Sequence, residues 1–133
     1  MIIDTMVFAY ALLRVEGFSE QALEVLATAD LIEVPDSFRA ELVNVVWKWL
    51  KTKGLSLDLG LEVLQDAEGL IDRVIPTERL WERALELAVQ YNHSAYDTLF
   101  IAAAELGETQ VVTFDKRLLR TFPDLTVDAS KRP

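Results

Sequence analysis

The chain has 133 residues, 51% of them hydrophobic and 26% charged, which is the balance of a globular domain and excludes a disordered segment. It contains no cysteine, so a disulfide framework and thiolate catalysis are both excluded. Its formal net charge of -9, from 22 acidic against 13 basic residues, works against binding a polyanion by bulk attraction.

In chain order, Met1 to Ile3 is expected to form a short apolar strand ended by Asp4-Thr5, with a helix from Met6 to Leu13 broken by Gly17. Ser19 caps a helix through about Thr28. Leu31 to Val34 reads as a second strand stopped by Pro35, and Ser37 opens a long helix that Gly54 ends. Ser56 opens another helix toward Glu68, and Arg73 to Ile75 is a third strand. Pro76-Thr77 starts a helix running to about Tyr91. A further helix, from about Ser94 to Leu106, is closed by Gly107. Gln110 to Thr113 is a fourth strand and Thr126-Val127 a short edge strand.

One core and one domain, residues 1–133, are expected. A chain of this length buries roughly two thirds of its unfolded surface, so neither a disulfide nor a structural zinc is required. Only two isoleucines precede the first charge, too few for a signal-peptide core, and no apolar run approaches the ~20 residues of a membrane span. The expectation is a soluble, cytoplasmic protein with no membrane partner.

Strands alternating with helices predict parallel βαβ units with right-handed crossovers. The fold class is therefore α/β: a central, mainly parallel sheet of four to five strands between two helical layers. In such sheets the ligand crevice lies beyond the carboxyl ends of the strands, where strand order reverses. Asp4 directly follows the first strand and Asp115 lies just beyond the fourth. Glu41, early in the helix after the second strand, and Asp97, early in the helix before the fourth, begin near the same edge. Asp97 shares a helical face with Ile101 and Ala104, and Glu41 lies between Phe38 and Val45 at spacings of three and four.

Each acid alone has a plain structural reading: Asp4 and Asp115 as helix caps, Asp97 as a first-turn residue facing the helix dipole, Glu41 as a partner of Arg39 or Lys48. Together they require more. Two carboxylates ~4 Å apart repel by about 4 kcal/mol at an effective dielectric of 20. Four acids from four segments therefore call for a cation, and hard oxygen donors favour Mg2+ or Mn2+. His93 reads as a loop residue before a helix, and Trp47, Trp49 and Trp81 as core or interface. No Gly-rich phosphate loop, GxSxG elbow or Cys-His pair is present. Hydrolysis assisted by acids and a metal is the chemistry that remains. Lys48, Lys51 and Lys53, and Lys116, Arg117 and Arg120, form two local basic groups.

The segments IIDTMVFAYALL, RAELVNVVWK and AYDTLFIAAAELGETQVVTFDKRL resemble a PIN domain, specifically the VapC-type toxin ribonucleases of VapBC pairs. The resemblance spans nearly the whole chain. It implies that Asp4, Glu41, Asp97 and Asp115 form the acidic, metal-binding and catalytic quartet, with the hydroxyl of Thr113 supporting it. It also implies an endoribonuclease with Mg2+ or Mn2+ as cofactor and RNA as substrate, often a homodimer, silenced by a VapB-like antitoxin. RNA preference comes from the resemblance alone, since water as nucleophile does not exclude DNA. The alternative is a non-catalytic module whose acidic groove receives a basic peptide or partner protein. A receiver-like or DxD phosphoryl-transfer protein fits less well, because Met6 stands where the second acid of a DxD pair belongs.

Overall fold

Five short strands, the central ones buried on both faces, organise the molecule. The structure is a computed structural model and describes residues 1–131. The strands are β1 (Ile2–Ile3), β2 (Glu33–Pro35), β3 (Arg73–Ile75), β4 (Val111–Thr113) and β5 (Thr126–Asp128). All neighbouring pairs are parallel and the order is β3-β2-β1-β4-β5. The expected mainly parallel sheet of four to five strands is thus five strands, wholly parallel. Ile2, Ile3, Val111, Val112 and Thr113 are fully buried, as the middle of a doubly covered sheet requires.

The helices are α1 (Thr5–Leu12), α2 (Ser19–Thr28), α3 (Ser37–Lys53), α4 (Leu57–Leu70), α5 (Trp81–Tyr91), α6 (Ala95–Leu106) and α7 (Lys116–Thr121). The chain steps from β1 to β2 to β3 on one side, then crosses to β4 and β5 on the other. Right-handed crossovers consequently put α1 to α4 on one face and α5 to α7 on the opposite face. The packing agrees: α1 contacts α2, α3 and α4, while α6 packs against α5 and against β1, β2 and β4. Strand order reverses between β1 and β4, so the carboxyl ends of those two adjacent strands mark the crevice.

Two boundaries differ from the sequence reading. The second strand begins at Glu33 and includes Pro35 rather than covering 31–34. The Asp72 side chain takes the Ile32 N–H at 2.8 Å, and the terminal amine donates to the Leu31 carbonyl at 2.9 Å, so these groups are satisfied outside the ladder. Glu33 N donates to Met1 O, and Pro35 faces the same side. Its missing N–H falls where the β1–β2 pairing, confined to Ile2 and Glu33, has already ended. The helix expected from Pro76 to Tyr91 is also divided. A 3-10 turn, Thr77–Arg79, is followed by Leu80 at φ -120°, and α5 begins at Trp81. The break lets Leu80 point into the core, where it is buried.

Gly54 ends α3 at φ 68°, and no side chain crowds it. Gly69 lies exposed within α4, and a Cβ there would likewise meet nothing within 4 Å. Gly54→Ala is expected to lower stability by about 1 kcal/mol, because a Cβ disfavours the left-handed conformation. Gly69→Ala is expected to raise it by up to about 1 kcal/mol through helix propensity. Denaturant unfolding of both variants checks this. Equal effects of the same sign would contradict the assignment of Gly54 to a strained turn.

Candidate active site

Asp4 leaves β1 as the N-cap of α1. Its backbone N–H donates to the Val112 carbonyl on β4 at 3.0 Å, which fixes it against the neighbouring strand. Its Oδ1 accepts the Thr5 N–H at 2.8 Å, and its Oδ2 accepts the Thr113 hydroxyl at 2.6 Å. That hydroxyl also accepts the Asp115 N–H at 3.0 Å. Fully buried Thr113 thereby joins the end of β1 to the end of β4. Asp115 caps α7 through Oδ1, which accepts from Arg117 N at 2.9 Å and Leu118 N at 3.1 Å. Both aspartates are caps, yet each carboxylate oxygen has lone pairs left after these bonds.

Glu41, in the second turn of α3, reaches the same place from the α1 side. Thr5 Oγ1 donates to its Oε2 at a long 3.4 Å, while its Oε1 is buried with no hydrogen-bond partner among the described residues. Asp97 comes from the first turn of α6, where the helix dipole favours an acid and Ser94 provides the cap. Asp4, Glu41, Asp97 and Asp115 line one cleft of ≈ 280 Å³ together with Thr5, Met6, Tyr10, Val45 and Phe114. The structure therefore brings the four expected acids together and places Thr113 directly behind Asp4.

The electrostatics follow from burial and like charge. The Asp4 carboxyl is pushed up to about 6, chiefly by burial and further by the charges of Asp97 and Asp115, against the stabilising bonds from Thr113 and Thr5. Glu41 is pushed up to about 7 by burial and by the charges of Asp4 and Asp97. Asp97 is raised by burial and by Asp115, an effect opposed by His93 and Arg117. Among the described residues, no three acidic or histidine side chains stand close enough to hold a metal between them as placed. The donor set nonetheless fits a hard divalent cation. It offers only carboxylate oxygens, one of them buried and unpartnered, whose mutual repulsion a positive charge would relieve.

The model of the PIN domain family matches residues 1–122. The chain belongs to the PIN domain family. It is 26% identical to Ribonuclease VapC3 of Pyrobaculum aerophilum over 127 residues, covering 94% of this chain and 96% of that protein. In fold it is similar to a toxin-antitoxin complex chain from Klebsiella pneumoniae, with TM-score 0.65, 18% identity and 96% of both chains covered. It is similar also to a chain of VapBC2 from Rickettsia felis bound to a promoter DNA fragment, with TM-score 0.68, 18% identity, and 95% and 96% of the two chains covered.

Three features of this PIN domain escape sequence reasoning. Tyr10, Phe18 and Phe114 form an aromatic cluster with ring centroids 4.5–5.6 Å apart, and Tyr10 and Phe114 wall the cleft. Phe114 belongs to no periodic pattern, and its place between Thr113 and Asp115 is the one signal in the sequence that could have found it. His93 does precede α6 as expected, but it is buried. Its Nδ1 lies 3.4 Å from Asp97 Oδ2, and neither ring nitrogen makes a hydrogen bond among the described residues. Arg117, from the second of the two basic groups, donates to the Asn92 carbonyl at 2.7 Å and so closes the end of α5.

Asp4 and Glu41 keep protons in the fold that they release at lower pH when unfolded. The unfolded chain thus binds fewer protons, and stability of the cation-free protein falls as pH rises from about 4 through about 7. The Asp4 contribution is of the order of 3 kcal/mol. In chelator, Tm is expected to be higher at pH 5 than at pH 8, and Asp4→Asn should remove much of that difference. A pH profile that the substitution leaves unchanged would refute the account.

Proposed function

We propose that this protein is a Mg2+- or Mn2+-dependent endoribonuclease that hydrolyses RNA phosphodiester bonds, acting as the cytoplasmic toxin of a type II toxin-antitoxin pair. One observation carries the reading: four carboxylates from four separate segments line a single cleft at the reversal of strand order. Similarity to a ribonuclease along nearly the full length supports the choice of RNA.

Asp4 and Asp97 would anchor the cation, while Glu41 and Asp115 complete or orient its surroundings. A divalent ion held there supplies Lewis acidity, making water a nucleophile near neutral pH and offsetting phosphate charge. The chain's own residues prepare the site. Thr113 holds Asp4 Oδ2 and the Asp115 backbone in a fixed relation. Tyr10, Met6 and Phe114 form an apolar wall that limits bulk water and strengthens electrostatic interactions in the cleft.

A VapB-like antitoxin is the partner this reading implies. An apolar groove of ≈ 540 Å³ between α1, α2 and α4, lined by Leu12, Leu23, Leu26 and Leu70, offers it a surface outside the acidic cleft. The homodimer is supported by Trp81, Leu85 and Val89, which repeat every four residues along α5 and are 60–76% exposed. No described helix is long and apolar enough to cross a membrane.

The test is cleavage of labelled RNA by purified protein freed of any copurifying partner, with its mass in solution reporting the dimer. Cutting is expected with Mn2+, and is expected to be abolished by EDTA and reduced about 100-fold or more by Asp97→Asn. Equal cutting by wild type and variant would mark contamination and defeat the assignment.

A further inference from the structure

Tyr96 adjoins the acidic centre without belonging to it. It precedes Asp97 in the first turn of α6, its residue is 67% exposed, and its side chain makes no hydrogen bond or ring contact among the described residues. Opposite it, α3 presents Ala40, Glu41, Asn44 and Val45, and these residues with Tyr96 line a groove of ≈ 390 Å³. Glu41 and Val45 also line the acidic cleft, so the two recesses adjoin and share a wall.

Helical spacing carries this face of α3 onward. Glu41, Asn44, Lys48 and Lys51 follow one another at intervals of three or four, which puts them in one stripe. The stripe rises about 15 Å from Glu41 to Lys51 and passes from acid to base along the way. None of Lys48, Lys51 and Lys53 is ion-paired among the described residues, whereas Arg39, Arg73 and Arg83 all are. Lys51 Nζ lies 5.1 Å from the ring centroid of Trp47, itself 53% exposed. Cations without ion pairs grouped at one end of α3, one of them over the exposed ring of Trp47, form in a protein of net charge -9 a place for a chain that is anionic and carries bases. The other basic group is less free, because Arg117 is tied to the Asn92 carbonyl.

We propose that the α3–α6 groove carries single-stranded RNA away from the cleft, with Tyr96 stacking on the base beside the cleaved phosphate and Lys48 and Lys51 holding the phosphates that follow. The identity of the ligand rests on the ribonuclease reading, and the path rests on the groove. Stacking on a tyrosine face is tolerant of sequence, so this groove sets where the chain lies rather than which base is read. The lysines offset the repulsion that an acidic cleft exerts on an approaching polyanion.

Binding of a labelled single-stranded RNA in Mn2+ tests the path, with every protein carrying Asp97→Asn so that the RNA stays intact. Added Tyr96→Ala is expected to weaken Kd roughly tenfold, while Tyr96→Phe stays within about twofold, because stacking needs the ring and not the hydroxyl. Lys48→Ala with Lys51→Ala is expected to lower the magnitude of the salt slope by about 1.4. Unchanged affinity and slope, a Tyr96→Phe variant as weak as Tyr96→Ala, or no RNA binding at all would each overturn the proposal. If wild type cuts RNA, the groove substitutions made with Asp97 intact cut like it, and the same substitutions beside Asp97→Asn leave binding unchanged, the ribonuclease reading stands and the groove fails. If binding shows these dependences while nothing is cut, the groove stands and hydrolysis fails.

Discussion

Like charges crowded beside an apolar sheet edge are the constraint around which this molecule is arranged. Asp4, Glu41, Asp97 and Asp115 share one cleft, and among the described residues no Lys or Arg side chain lines it. Burial and mutual repulsion raise the first three carboxyls above their ordinary range. A cluster of this kind persists only because strong local structure holds it: caps at Asp4 and Asp115, a fully buried Thr113 bridging them, and helices anchored in the core by Phe38, Leu42, Phe100 and Ile101. The fold supplies rigidity at the place where the charges oppose it.

The sheet explains why such a cluster forms at this edge. Because β1 and β4 are adjacent and parallel, with crossovers leaving toward opposite faces, the chain opens a crevice at their carboxyl ends. α1 and α7 both begin there, and their N-termini accept acidic caps, which are the same residues that face the cleft. Cap and site are therefore compatible roles for one side chain. The proposed RNA path extends this economy along α3, whose stripe begins at Glu41 in the cleft and ends among unpaired lysines.

Much of this was legible in the sequence, and the reasons are physical. Alternating strand and helix signals, with stops at Gly54 and Gly107, were enough for a parallel sheet, and a charge just beyond the first and fourth strands was enough to find the crevice. Acids on otherwise apolar helical faces, Glu41 between Phe38 and Val45 and Asp97 above Ile101, pointed to the other two carboxylates that line the cleft. What was hidden depends on tertiary neighbours. The break at Leu80 arises from its burial, the start of β2 from the Asp72 side chain taking the Ile32 N–H, and the burial of His93 from packing beside Phe122. The family resemblance placed the hydroxyl of Thr113 near the site, but its bridging of two strands needed coordinates.

The most direct test of the account is calorimetric titration of partner-free protein with Mn2+ at pH 6.5, in two buffers of different ionisation heat. Carboxyls pushed up to about 6 and about 7 must give up about one proton between them as a cation binds, so the measured heat should depend on the buffer. Binding with that proton release, lost in Glu41→Gln, is the predicted result. No binding, or binding without proton release that Glu41→Gln leaves intact, would contradict the claim that these carboxylates are gathered to hold a metal.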